Sequence, residues 1–208
     1  FKHVNYLWDK KIAASFNDNQ VELFLYRSNL LGSDLRITNY GGGNTSCKTI
    51  EKDPLTNEDV EVMWIKGSGG DIGTLTRKGI AGLYTHRLRN LKKVYGGLAD
   101  EDRMVGLFNH CIYDLESRAP SIDTPLHGLL PFKHIDHLHP DALIAVAAAE
   151  NSEAITKAIW GDEMGWVPWQ RPGFDLGLQL EKCLADNPKI RGIVLGSHGL
   201  FTWGDTSL

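Results

Sequence analysis

Glycine in this chain gathers at the ends of strands, and that placement constrains the fold more than any other feature of the sequence. Gly41-Gly42-Gly43 separates two stretches of strand character, Arg36–Tyr40 and Asn44–Ile50. Gly67-Ser68-Gly69-Gly70 follows Val60–Ile65, a run built on Val, Met, Trp and Ile. Glycine takes positive φ without steric cost, so both clusters predict tight reversals between strands. Glycine makes up 22 of 208 residues, above the ordinary level of about 7%, and these loops hold part of the excess.

Apolar spacing predicts helices at Val21–Leu31, ended by Gly32-Ser33, and at Thr76–Val94, Asp100–Ser117, Ser152–Trp160 and Asp175–Ala185. Pro140 opens a further helix, Asp141–Glu150, and Thr74 and Asp100 are candidate caps. His134–His139 and the two halves of Gly192–Trp203 around Gly196–Gly199 read as strands. Several strands follow one another through short turns while helices separate others. This predicts an α/β fold in which helices pack on a mixed or antiparallel sheet.

A length of 208 residues at 42% hydrophobic content fits one domain that buries roughly 70% of its unfolded surface, so a core needs no structural metal. Lys and Arg number 22 against 26 Asp and Glu, a net charge of −4 with no basic run. Nucleic-acid and anionic-membrane surfaces are therefore not expected. Cys47, Cys111 and Cys183 show no C-x-x-C spacing, which fits a reducing compartment better than a disulfide framework. Phe1–Phe16 mixes charges through its apolar residues, and no apolar run reaches the ~18 residues of a membrane span. The expected location is cytoplasmic.

Two kinds of feature carry chemistry. The glycine loops, with their Ser and Thr hydroxyls, can turn backbone N–H groups toward a phosphate, although each alone fits a plain hairpin turn as well. Neither matches a P-loop, and G-x-G-x-x-x-G at Gly67 is one residue off the dinucleotide fingerprint. The second feature is His137-Leu138-His139-Pro140, with His198 between glycines in Gly196-Ser197-His198-Gly199. Residues i and i+2 of a strand share a face, so His137 and His139 can converge on one ion, and His134 should face the other side. Three imidazoles leave a coordination position open on zinc or a similar ion, as in catalytic sites. The competing reading is three unrelated polar histidines at strand ends. Asp123 stands where a helix begins: it is either a cap or, if it faces the metal, a base that takes a proton from a bound carbonyl compound. For His127 a packing or hydrogen-bonding role is expected, and for His110 a structural one; His3 and His86 have no informative context.

The order of motifs resembles the class II aldolase/adducin family. It runs Gly43-Asn44-x-Ser46, Lys66-Gly67-Ser68-Gly69, Pro120-Ser121-x-Asp123-x-x-x-His127, His137-x-His139-Pro140 and Ser197-His198-Gly199, across nearly the whole chain. Within that family, Tyr26-Arg27-Ser28-Asn29-Leu30, Pro131-Phe132-Lys133-His134, Arg171-Pro172-Gly173-Phe174 and Thr202-Trp203-Gly204 resemble the aldolase half of bifunctional rhamnulose-1-phosphate aldolase/lactaldehyde dehydrogenases.

The resemblance implies a three-layer α/β/α fold with a central mixed, largely antiparallel sheet. It implies a lyase that cleaves L-rhamnulose 1-phosphate to dihydroxyacetone phosphate and L-lactaldehyde. By similarity, His137, His139 and His198 bind a divalent metal, usually Zn2+, and Gly43, Asn44, Ser68, Gly69 and Ser121 cradle the phosphate. The family's acid/base is a glutamate where this chain has Asp123, and Ile122 stands where some relatives have a second serine. Lys66 or Arg171 could add attraction for the anion. A homo-oligomer, tetrameric in the family, is implied. So is a longer protein, in which 1–208 is the aldolase/adducin domain and a short-chain dehydrogenase domain follows it. The rivals are a fuculose-phosphate aldolase, a ribulose-phosphate 4-epimerase or dehydratase on the same fold, and a non-catalytic adducin-like module.

Overall fold

The structure, a computed structural model, describes residues 4–208, so His3 lies outside it. Helix α1 (Lys10–Ala14) opens on Asp9 and α2 (Gln20–Gly32) on Asn19, each with a side-chain oxygen that accepts from two first-turn amides. There follow strands β1 (Asn44–Lys52), β2 (Asp59–Lys66) and β3 (Ile80–Tyr84), and helices α3 (Thr85–Asn90), α4 (Glu101–Leu107) and α5 (Thr124–Gly128). The second half holds β4 (His134–Leu138), α6 (Asp141–Ala147), α7 (Ser152–Trp160), β5 (Met164–Val167), α8 (Phe174–Asp186), β6 (Gly192–Leu195) and β7 (Gly199–Gly204).

All seven strands form one sheet in the order β3-β2-β1-β4-β7-β6-β5, antiparallel at every junction except the parallel pair β5–β6. This is the mixed, largely antiparallel α/β sheet the sequence predicts. On one face Met63, Ile65 and Leu83 of the sheet pack with Leu88, Met104, Phe108 and Phe174, and Ile135, Ile193 and Phe201 pack with Leu126, Leu176 and Leu180. On the other face Val62, Trp64 and Cys47 pack with Val21, Phe24 and Leu25 of α2. The Trp166 Nε1–H donates to Ser152 Oγ at 3.0 Å and ties β5 to α7. Arg27 of α2 pairs with Asp136 of β4 at 2.8 Å and also donates to the Ser46 carbonyl.

Three expected elements differ. Arg36–Tyr40 is a series of turns, because the Asp34 carboxylate accepts from the Arg36 amide and pairs with its guanidinium at 2.5 Å. Thr76–Val94 holds β3 before its short helix. All five residues of Ile80–Tyr84 are buried, and a continuous apolar run carries no period to separate strand from helix. The helix at Asp100 is shorter than expected: α4 stops at Leu107, a 3-10 turn covers Phe108–Cys111, and the Asp100 carboxylate bonds Arg103 instead of capping. Thr74 ends a 3-10 turn and begins no helix.

Candidate metal centre and anion loops

β4 lies in the middle of the sheet, with His137 opposite Asn44 of β1 on one side and Phe201 of β7 on the other. Directly opposed residues share a face, so these three side chains project together while Asp136 turns to α2 and its arginine. His139 follows two residues later on the same face. Phe201 stacks on the His137 ring, with centroids 4.6 Å apart and planes 12° apart.

The third ring comes from the β6–β7 turn. The Ser197 amide donates to the Ala147 carbonyl at 2.7 Å and the His198 amide to the Leu195 carbonyl at 3.0 Å. Ser197 adopts φ 54°, a left-handed conformation uncommon for a non-glycine residue, and so turns the chain sharply enough to aim His198 inward. Gly199 cannot carry a side chain, since a Cβ would stand 2.7 Å from His139 Cδ2 and 2.9 Å from the Leu138 carbonyl oxygen.

The potential ligand atoms of His137, His139 and His198 all lie within 4.8 Å of one another. His137 Nδ1 sits 3.2 Å from the Leu200 carbonyl oxygen, and His139 Nδ1 sits 2.8 Å from Asn39 Oδ1. Each Nδ1 therefore carries its ring's proton, which leaves the two Nε2 lone pairs facing each other across 3.1 Å. Two lone pairs repel unless a cation lies between them. Tetrahedral zinc with Zn–N bonds of about 2.0–2.1 Å sets its ligand nitrogens about 3.3 Å apart, so this arrangement fits a divalent ion. Burial, reinforced by the neighbouring rings, holds His137 well below its ordinary pKa, and burial pushes His198 down to about 4, so both are neutral and able to bind.

The two glycine loops meet beside this cluster. Asp71 Oδ1 accepts from the Gly41 amide at 3.0 Å, and its Oδ2 accepts from the Gly73 amide at 2.9 Å. Gly43 takes φ +68°, and a Cβ there would stand 2.5 Å from the His137 carbonyl oxygen. Asn44 is buried and donates to the Lys66 carbonyl oxygen at 3.2 Å. Ser68 and Gly69 are exposed, but the Ser68 amide is engaged by the Ala119 carbonyl at 2.9 Å, which leaves the hydroxyl for a ligand.

Asp123 stands at the start of α5 without making a side-chain cap. Its Oδ1 is enclosed and unpartnered, and its amide donates to Ser121 Oγ at 3.2 Å. Burial raises its carboxyl to about 6, opposed by the charge of nearby Lys66. Lys66 is itself buried, and burial lowers its ammonium against the pull of Asp123 and Asp71. His127 Nδ1 bonds Ser46 Oγ at 2.8 Å, the hydrogen-bonding role expected of it, while His110 lies exposed in the 3-10 turn. Arg171 is not part of the loops: it pairs with Asp102 at 2.6 Å on the surface. Sequence reasoning missed Asn39, Asp71 and Arg118, whose Nε–H donates to the Ser68 carbonyl at 2.6 Å. Asp71, directly after Gly69-Gly70, was the one with a visible signal.

A model of the class II aldolase and adducin N-terminal domain family matches residues 24–207. The chain belongs to this family. It is 44% identical over 204 residues to a Bacillus subtilis (strain 168) protein named "Uncharacterized oxidoreductase YuxG", covering 98% of this chain and 29% of that protein. The chain thus spans under a third of that curated relative. Among solved structures, the N-terminal class II aldolase domain of a conserved protein from Thermoplasma acidophilum superposes with TM-score 0.82 at 29% identity, over 100% of this chain and 89% of that one. L-fuculose-1-phosphate aldolase from Thermus thermophilus shares the fold, with TM-score 0.54 at 14% identity over 92% of this chain and 82% of its own. Among the described residues no helix is long and apolar enough to cross a membrane.

Proposed function

We propose that this domain is a metal-dependent sugar-phosphate aldolase that interconverts L-rhamnulose 1-phosphate with dihydroxyacetone phosphate and L-lactaldehyde. The observation that carries the reading is the facing pair of Nε2 lone pairs on His137 and His139, with His198 beside them and two glycine loops alongside. A divalent ion held by the three histidines, zinc in this proposal, would act as a Lewis acid for the oxyanion charge that develops as the carbon–carbon bond breaks.

The chain's own groups supply the rest. Gly43, Asn44, Ser68, Gly69 and Ser121 would bind and orient the phosphate end. Asp123, with one free carboxylate oxygen and a pKa of about 6, is suited to move a proton near neutral pH. In condensation it would remove the proton from the attacking carbon of dihydroxyacetone phosphate, and in cleavage it would return that proton. Lys66 favours the ionised form of Asp123 between turnovers.

We also infer that the domain works within a longer, bifunctional protein whose further portion is a dehydrogenase, in a homo-oligomer in the cytoplasm. The support is the oxidoreductase name of the relative matched over 29% of its length, together with the motif resemblance.

Incubation of metal-loaded protein with dihydroxyacetone phosphate and L-lactaldehyde tests the proposal, with formation of the ketose phosphate as readout. Condensation with a different aldehyde alone would reassign the substrate. Epimerisation or dehydration of a pentulose phosphate without condensation would replace the aldolase reading, and inertness with no retained metal would favour an adducin-like module.

A further inference from the structure

Arginine usage in this chain singles out one residue. Six of the nine arginines pair with carboxylates: Arg27 with Asp136, Arg36 with Asp34, Arg89 with Glu61, Arg103 with Asp100, Arg171 with Asp102 and Arg191 with Glu163. Two more lie over rings, Arg77 at 4.1 Å from the centroid of Trp64 and Arg87 at 4.3 Å from that of Tyr84. Arg118 alone has no carboxylate or aromatic partner among the described residues. Its one side-chain hydrogen bond, from Nε to the Ser68 carbonyl oxygen at 2.6 Å, orients it and leaves both terminal nitrogens open.

The side chain runs along the second glycine loop. A Cβ on Gly67 would stand 2.9 Å from Arg118 Cβ, and one on Gly69 would stand 3.2 Å from Arg118 Nη2. The guanidinium therefore ends over Gly69, at the exposed mouth of the loop. Its base is fixed twice, since the Ser68 amide donates to the neighbouring Ala119 carbonyl at 2.9 Å and the Arg118 amide donates to the Ile80 carbonyl at 3.3 Å. The charge of Arg118 is felt by the Lys66 ammonium, so two cations flank the loop, one buried and one exposed. Ser121 and Ile122 follow closely in sequence, and Ile122 has no polar group to offer an anion.

We propose that Arg118 is the cationic arm of the anion cradle: its Nη1 and Nη2 fork receives the phosphomonoester dianion of the substrate at the mouth of Ser68–Gly70. The proposal rests on the sugar-phosphate reading given above. A planar fork with two free donors matches two phosphate oxygens at once, which a lysine in the same place cannot do. An exposed guanidinium held at its Nε is already oriented, so little side-chain entropy is lost when the anion arrives.

Binding of inorganic phosphate to the metal-loaded chain, followed by titration calorimetry at pH 8 and fixed ionic strength, tests this without any turnover. R118Q should weaken phosphate about 10- to 100-fold, as loss of charge-assisted bonds predicts. R118K should fall between the two, with metal content and melting temperature unchanged in both variants. In the aldol assay R118Q should raise KM for the phosphorylated ketose with kcat nearly kept. Phosphate affinity within twofold of the parent, or no phosphate binding by the parent, overturns the proposal. A drop in metal content and melting temperature that accounts for the lost affinity also overturns it, because Arg118 would then only brace the loop. Arg118-dependent phosphate binding in a protein that performs no condensation would keep the anion arm and discard the aldolase.

Discussion

Asn39 Oδ1 accepts from His139 Nδ1 at 2.8 Å, and this bond decides which nitrogen of the ring is free to bind a metal. Asn39 lies on a turn with no periodic pattern, yet it fixes the tautomer and tilt of His139, the half-buried histidine just past β4. Loss of such an outer partner costs about 10- to 100-fold in metal affinity. Asn39→Ala should show that loss in competition with a chromogenic chelator, and Asn39→Asp should retain most of the affinity.

His198→Ala should abolish metal retention while leaving the far-ultraviolet circular dichroism unchanged, because the ring sits on a turn outside the core clusters. Unchanged metal content by elemental analysis would remove His198 from the centre. Gly199→Ala should also lower metal retention, with a loss of melting temperature beside it, since its methyl would press on both the His139 ring and the Leu138 backbone carbonyl.

Asp123→Asn should keep the metal and lose turnover. In the parent, kcat/KM for condensation should rise with pH through about 6 as the carboxyl ionises. The stability effect runs the other way. A carboxyl whose folded pKa is raised from 3.8 to about 6 binds protons more tightly in the native state, so its contribution is present below about 4 and is lost as pH rises through about 6. Asp123→Asn should therefore be more stable than the parent above pH 6, by on the order of 2 kcal/mol in the metal-free protein, and no more stable at pH 4. Denaturant titrations at the two pH values measure the difference.

Arg27→Ala should cost about 3–5 kcal/mol, the range for leaving one member of a buried pair without its partner. Asp136 and the Ser46 carbonyl would both lose their donor between α2 and the sheet. A urea unfolding midpoint close to that of the parent would contradict this.

The fold was legible wherever the sequence carried a period or a stop signal. Asn44–Lys52 and Asp59–Lys66 stand on either side of turn chemistry, and the 13-residue helices α2 and α8 have clear apolar spacing. Ile80–Tyr84 carried neither, being buried on both faces, and β5 is a four-residue edge strand that owes its place to β6. At the site, the i, i+2 spacing of His137 and His139 was enough to place them on one face. Asn39 and Arg118 act through contacts between loops, for which single-chain spacing holds no trace, whereas Asp71 was marked by its place directly after Gly69-Gly70. The role of Arg118 emerges only once every other arginine is seen to be engaged.

The β1–β4 junction pairs four residues on each strand, from Asn44 with His137 to Cys47 with His134. On the proposed reading the phosphate end of the substrate is held from the β1–β3 half of the sheet and the carbonyl end from the β4–β7 half. This short ladder is then a caliper: its register sets the span between the two grips. Side-chain changes can loosen either jaw, but only a slip of the backbone pairing, about 6.8 Å for the two residues that preserve facing, would reset the length of molecule that fits.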